Sequence, residues 1–260
     1  MNYVKMMGGL GNQLFEYTFA RYLEKKTGNR SALWTALYGT SYEKRDFTLD
    51  KFDTDFITIN SEITCRAAYD EFNIPELSNV DEAFFRGFFQ DRKYFDEVAG
   101  EMRKELSLKP SFISALLKEE IETIGQAEAV AIHVRRGDYL DGINTEVFEE
   151  LPLDYYEQAL SRIIGILGYE PRVYVFSDDY EYVSRAFKNL CGSEVIPVPP
   201  GIDYEDMYLM SCAKHHIIAN SSFSWWSAAL SEEEGITVAP KRWFKDRPNP
   251  DLIRDGWLAV

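Results

Sequence analysis

The sequence predicts an α/β protein built around parallel sheets, and three observations carry the prediction. Between about 127 and 240, apolar runs that read as buried strands alternate with stretches of helical periodicity. That alternation demands crossover connections, which in parallel sheets are right-handed. Four polar clusters, "GGLGNQ", "HVRRGD", "FSDD" and "NSSFSWW", stand where strands end, and open parallel sheets collect ligands at such places. A length of 260 residues fits one large domain or two lobes, with enough chain to bury real cores.

Taken in order, "YVKMM" (3–7) is a short buried strand ended by Gly8 and Gly9. From Asn12 to Lys26, Phe15, Phe19, Tyr22 and Leu23 recur at helical spacing, which gives the helix one buried face. Residues 30–90 keep no regular period and carry short aromatic pieces such as "RDFTLDKF" and "FFRGFFQDRKYF". Helices are expected over about 93–106 and 111–124, and "AVAIHV" (129–134) is a central strand. Asp154, with Glu157 three residues on, forms a capping box that opens a helix running to about Leu167. "RVYVFSDD" is a strand entering a turn, followed by a helix from Tyr180 to Leu190. "EVIPV" and "HHIIAN" are strands around a helix near 204–213, residues 222–231 a short helix, and "ITVAP" the last strand. No repeat or low-complexity linker interrupts the chain; the lobe boundary is placed at 120/121, giving lobes 1–120 and 121–260.

Composition excludes several classes. A hydrophobic fraction of 45% with 15% aromatics argues against disorder. No stretch approaches the roughly 20 apolar residues of a membrane span. The opening "MNYVKMMGGLGNQ" lacks the apolar core of a signal peptide, so a cytoplasmic location is expected, with association at the inner membrane face left open. The 3 cysteines are scattered and lack metal or redox spacing, which fits reduced thiols. A formal net charge of −15 argues against nucleic acid as a partner, since phosphates would be repelled at long range. Any phosphate site must be local.

Each cluster has a chemical and a plain reading. In "GGLGNQ" the glycines either let the backbone approach a ligand at a helix N-terminus or simply make a βα turn. It is not the dinucleotide fingerprint, because Leu14 stands where the third glycine belongs. In "HVRRGD", two arginines at a strand mouth offer the planar fork that grips phosphate oxygens. Neighbouring residues on an extended segment point opposite ways, so one arginine reaches a ligand and the other packs structurally. His133 is able to hydrogen-bond a base, ribose or phosphate. In "FSDD", Ser177, Asp178 and Asp179 either accept from ribose hydroxyls and a purine edge or cap a helix. "NSSFSWWSAAL" supplies hydroxyls and main-chain N–H groups at a helix start, although Phe223, Trp225 and Trp226 also suit a core. The D-x-D at Asp53–Asp55 is a match that chance supplies in a chain this rich in aspartate, and His215–His216 lacks zinc-ligand spacing.

In this order, the clusters resemble glycosyltransferase family 11, of the bacterial α-1,2-fucosyltransferase kind. The likeness rests on "GGLGNQLFEYTFARYL", "GFFQDRKYF" at 87–95, "HVRRGDY", "FSDD" and "NSSFSWWSAAL", and it spans nearly the whole chain. It implies a glycosyltransferase-B fold, two Rossmann-like lobes facing a nucleotide-sugar cleft. It implies GDP-β-L-fucose as donor, a galactose-terminated oligosaccharide or lipid-linked glycan as acceptor, inversion at the anomeric carbon and no required metal or other cofactor. By motif, Arg135 would hold the pyrophosphate, His133 would lie against the nucleotide and Asp178 would face the guanosine. Ser222, Phe223 and Ser224 would wrap the phosphates, while Gly11 and Asn12 would border the fucose. Asp138 is the first candidate for the general base, with Glu16 and Asp91 behind it. Two other readings fit the same clusters: a transferase for another nucleotide sugar, and a catalytically silent nucleotide-sugar or glycan-binding module.

Overall fold

The computed structural model describes the chain except Ala127, Asp138, Leu140, Asp141, Ile143, Glu233 and Asp246. It divides into two units, Met1–Phe112 and Ile113–Val260.

In the first unit the strands are β1 (Asn2–Lys5), β2 (Ser31–Trp34), β3 (Ile57–Ile59), β4 (Ala68–Asp70) and β5 (Phe84–Arg86). They pair in the order β3-β2-β1-β5-β4, every pair parallel. Helix α1 (Leu10–Thr27) follows β1, and α2 (Arg92–Glu105) follows β5. Gly28 ends α1 in the left-handed conformation, its N–H returning to Glu24 O. From Leu10 to Ala20 only Asn12 escapes burial, so the single buried face expected of this helix gives way to burial all round in its first turns; beyond Ala20 only Leu23 is buried and the helix is one-sided. The reason is its position: α1 meets β1 and β2 on one side and α2 with the turns at Leu49–Lys51 and Leu77–Asn79 on others. Phe19 stacks on Phe89 with ring centroids 3.7 Å apart and packs edge-on to Phe85 of β5.

The second unit opens with α3 (Ala115–Gln126), which contains the 120/121 position at which the sequence divides the lobes. Then come β6 (Val130–Val134), α4 (Asn144–Val147), α5 (Leu153–Leu167), β7 (Val173–Ser177) and α6 (Tyr180–Ala186). The chain continues through β8 (Val195–Pro197), α7 (Asp203–Ser211), β9 (His215–Ile217), α8 (Ser222–Leu230), β10 (Thr237–Ala239) and β11 (Leu258–Ala259). The strand order is β11-β10-β9-β6-β7-β8, again parallel throughout. From β6 the chain adds strands outward to β8, then returns to the other side of β6 to begin again at β9. That reversal is the topological switch point of a Rossmann-like sheet, and ligands bind outside the strand carboxyl ends there. Val130, Ile132 and Val134 pack with Tyr155, Ala159 and Leu160 of α5 in the core. The capping box expected at Asp154 does not form. Pro152 is the N-cap and the helix starts at Leu153, so Asp154 sits in the first turn and accepts from Gln158 Nε2 at 2.6 Å.

Candidate functional site

At the end of β6 the two adjacent arginines diverge. Arg136 keeps the parity of Val134 and stays on the α5–α6 side of the sheet. There its guanidinium pairs with Glu150, donates from Nε to Asp179 Oδ2 at 3.1 Å and lies 3.6 Å over the Tyr182 ring. It is a strut. Arg135 keeps the parity of His133, and its Nη1 lies 3.0 Å from Asp178 Oδ2. The other oxygen of Asp178 accepts the Arg136 main-chain N–H at 2.9 Å, so one carboxylate from the end of β7 locks the turn leaving β6. With 21% and 26% of their side chains exposed, Arg135 and Asp178 remain within reach of a ligand. The helix cap belongs to the next residue: Asp179 Oδ1 accepts the Tyr182 N–H at 3.0 Å.

His133 is buried on the opposite sheet face from the α5 core, its ring centroid 5.3 Å from that of Phe223 at the start of α8. Burial, reinforced by the Arg135 guanidinium and opposed by Asp178, pushes its pKa down to about 3. The imidazole is therefore neutral at physiological pH, and its Nδ1 has no hydrogen-bond partner among the described residues. Ser222 and Phe223 are half-buried in the first turn of α8, where a helix offers main-chain N–H groups. Ser224 differs: it is buried, and its hydroxyl donates to Ser221 O at 3.2 Å. The loops at this end are stitched together. Tyr139 donates to Asn220 O at 2.7 Å, Tyr155 to Ile218 O at 2.7 Å, and Asn220 Nδ2 to Glu149 O at 3.0 Å.

The first unit brings the two remaining motifs together at the carboxyl ends of the neighbouring strands β1 and β5. Gly8 has φ +78, and a Cβ on it would stand 2.6 Å from Asn12 Nδ2, so glycine alone fits the turn. Met7 N–H donates to Glu16 Oε2 at 3.0 Å and Gly8 N–H to Glu43 Oε2 at 2.6 Å. Gln13 bridges Gly8 O and Thr48 N, at 3.0 and 2.9 Å. Gly11 is buried in the first turn of α1, and Asn12 Oδ1 accepts from Gln90 Nε2 at 2.9 Å. Glu43, Glu71 and Glu150 all hold loops, and no local spacing in the sequence announces them, because each acts across a long stretch of chain.

The three base candidates fare differently. Asp138 lies outside the described residues. Glu16 is sealed from solvent, and burial raises its carboxyl well above the ordinary range. Asp91 caps α2 by accepting Lys93 N–H at 3.0 Å and pairs with Lys93 Nζ at 2.7 Å. Asp55 of the D-x-D pairs with Arg30 at 3.2 Å, and among the described residues no group of three or more His, Cys, Asp or Glu is set to hold a metal ion. His215 and His216 make main-chain bonds, to Ile236 N and Met210 O at 2.9 and 3.0 Å. Among the aromatics, Phe89 is core, whereas half-buried Trp34, its Nε1 donating to Ser61 O at 2.9 Å, lines an open groove with Phe84. Among the described residues no helix is long and apolar enough to cross a membrane.

The chain was compared with known proteins. Residues 43–260 match the model of Glycosyl transferase family 11. The O-antigen biosynthesis glycosyltransferase WbnK of Escherichia coli is 29% identical over 303 aligned positions, covering 99% of this chain and 100% of that protein. An alpha-1,2-colitosyltransferase of Escherichia coli is 32% identical over 297 positions, covering 98% and 97% of the two chains. Among solved structures, the NodZ alpha-1,6-fucosyltransferase soaked with GDP-fucose is similar with a TM-score of 0.56 at 15% identity, over 88% of this chain and 91% of that one. The selenomethionine form of NodZ from Bradyrhizobium gives 0.57 at 15% identity, over 87% and 90%. The fold is thus the glycosyltransferase-B type with two Rossmann-like units, and at this identity the structural likeness speaks for the fold alone. The family match covers most of the chain, and with it the conclusion: this protein is a glycosyltransferase that belongs to glycosyl transferase family 11.

Proposed function

We propose that the chain transfers L-fucose from GDP-β-L-fucose to the 2-hydroxyl of a terminal galactose on a glycan, with inversion and without a required metal. One observation carries the donor assignment. A guanidinium, Arg135, stands at the switch point of the second unit, fixed by Asp178, on the same sheet face as a buried neutral histidine whose Nδ1 has no hydrogen-bond partner among the described residues. Cleavage of the fucose–phosphate bond passes through an oxocarbenium-like transition state while negative charge grows on GDP. Arg135 and the main-chain N–H groups opening α8, at Ser222 and Phe223, supply fixed positive potential for that charge. Asp178 serves by orienting Arg135, and His133 meets the nucleotide as an uncharged hydrogen-bonding group. Gly11 and Asn12 border the sugar, and Asp138 takes the acceptor proton.

The test is direct. Purified protein is incubated with GDP-fucose and lactose or N-acetyllactosamine in the presence of EDTA, and product linkage is read by NMR. An α-1,2-fucosylated product with stoichiometric GDP release is expected; neither product nor GDP release would overturn the assignment. A second donor has a specific claim, because a relative at 32% identity is an alpha-1,2-colitosyltransferase. Colitose is fucose without its 3-hydroxyl. A site that hydrogen-bonds that hydroxyl rejects the deoxy sugar by about 10⁴–10⁵, whereas a site that ignores it accepts both. Parallel kcat/KM values for GDP-fucose and GDP-colitose decide between them.

A further inference from the structure

Residues 87–90 leave β5 along a backbone that most side chains avoid. Gly87 has φ +146, and Phe89, buried and not glycine, has φ +50. Such conformations persist only where surroundings hold them, and they cluster at functional sites. Here one side chain does much of the holding. Glu71, the residue after β4, uses a single oxygen, Oε2, to accept both the Phe88 N–H at 2.9 Å and the Phe89 N–H at 2.8 Å. Its own N–H is tied to Arg86 O at 3.1 Å, so the carboxylate is fixed relative to the end of β5. Gly87 admits it: a Cβ there would stand 2.6 Å from Glu71 Cβ. The Phe89 ring, stacked on Phe19 with planes 3° from parallel, fixes the far side of the turn.

The turn delivers Gln90, whose Nε2 donates to Asn12 Oδ1 at 2.9 Å. The Asn12 nitrogen is thereby directed over Gly8. The amide of Asn12 is oriented by a relay that begins at Glu71, a residue outside every motif recognised in the sequence.

We propose that Glu71 is a positioning residue for the sugar end of the donor: it sets the 87–90 turn, and through Gln90 the orientation of the Asn12 amide. The proposal rests on the reading above in which Asn12 borders the transferred sugar. It separates two quantities. GDP is assigned to the second unit, so loss of Glu71 should leave GDP affinity alone and depress turnover.

Wild-type turnover with GDP-fucose is measured first, so failure of the donor assignment appears as an inactive wild type. In an active protein, Glu71→Ala is expected to lower kcat on the order of 10²-fold, the scale of an ångström-sized misplacement. The Kd for GDP, measured by calorimetry, should stay within about twofold. Glu71→Gln keeps an oxygen that accepts the same two N–H groups and should recover most of the rate. Gln90→Ala should reproduce the loss, and adding it to Glu71→Ala should lower kcat little further, because coupled residues are not additive. A folded Glu71→Ala with wild-type kcat overturns the proposal. So do a Glu71→Gln as poor as alanine, multiplicative losses in the double variant, and a loss of GDP affinity matching the loss of kcat. If Glu71→Ala does not fold, as judged by circular dichroism and melting, Gln90→Ala and Glu71→Gln decide: unchanged kcat in the first or a crippled second refutes it.

Discussion

The two units place different chemistry at the carboxyl ends of their parallel strands. The second sheet reverses its strand order between β6 and β9; in the first, β1–β2–β3 and β4–β5 step the same way, and β1 meets β5 because the chain crosses from one edge to the other between β3 and β4. Each gathers its motif loops at the carboxyl ends of those neighbouring strands. In the first unit, glutamate carboxyl groups hold the loops: Glu16 takes Met7 N–H, Glu43 takes Gly8 N–H, and Glu71 takes Phe88 and Phe89 N–H. In the second, the side chain at the strand mouth is a guanidinium and the carboxylate of Asp178 serves it. A glycine turn after a strand is commonly a phosphate cradle, because its N–H groups point outward. Here the N–H groups of Met7 and Gly8 are already engaged by carboxyl oxygens of Glu16 and Glu43, which leaves neither of them for a diphosphate. A glycine-rich loop is thus an anion site only if nothing already occupies its donors. In the function proposed above, the phosphate chemistry would fall to the second unit and the first would meet a neutral sugar.

The largest expected effect tests that division. Arg135→Ala should lower turnover by about 10²–10³-fold with the fold intact, the scale seen when one preorganised donor to developing charge is removed. Ordinary turnover in a folded Arg135→Ala would erase the contrast between the units. Arg136→Ala should act on stability. It removes the partner of Glu150 and Asp179 and the cation over Tyr182, and losing hydrogen bonds of a charged group costs about 1–3 kcal/mol. A lower denaturation midpoint with kcat nearly unchanged is the expected result; the reverse pattern would exchange the roles of the two arginines. In the first unit, Gly8→Ala meets a left-handed backbone, which alone costs about 1–2 kcal/mol, and displaces Asn12. Urea unfolding should show the loss, and turnover should fall more than GDP affinity does.

Legibility in the sequence followed burial. β6 and β7 are buried along their whole length, so "AVAIHV" and "RVYVFS" announce themselves as apolar runs. β3, β4 and β5 have three residues each, and β3 and β4 contain no buried position. Strands that short and half-exposed leave no period to read, so of the first unit's sheet the residues announced β1, as "YVKMM", and not β3, β4 or β5. The alternation rule did predict that Arg135 and Arg136 would part, since it depends on strand geometry alone. What partners they would find was not legible: Glu150 and Asp179 reach Arg136 through folding of the chain. Glu43 and Glu71 are invisible for the same reason, as acids that look like ordinary surface charge until the fold brings them to the ends of β1 and β5.

The smallest effect sharpens the comparison through pH. All 3 histidines of the chain lie in the second unit, and burial leads the causes that depress each: His133 to about 3, His216 to about 4, and His215 in the same direction. In the unfolded chain they protonate near 6.5, so the stability contributed by keeping them neutral is complete above about pH 6.5 and is lost as pH falls toward 4 and 3. Asp206 opposes this. Burial raises it to about 6, so its favourable uptake of a proton begins as the histidines become unfavourable. Glu16 in the first unit is raised as well, and its contribution is present below its ordinary 4.5 and lost as pH rises through its folded value. Acidification therefore strains the second unit, three depressed histidines against one raised aspartate, while it relieves the first. Hydrogen exchange at pH 7 and 5, corrected for intrinsic rates, should show protection falling in β6, β7 and β9 and holding in β1 and β2. His216→Asn should flatten the slope of the second unit. Equal loss of protection in both units would show that the different ionisable groups buried in the two units have no thermodynamic counterpart.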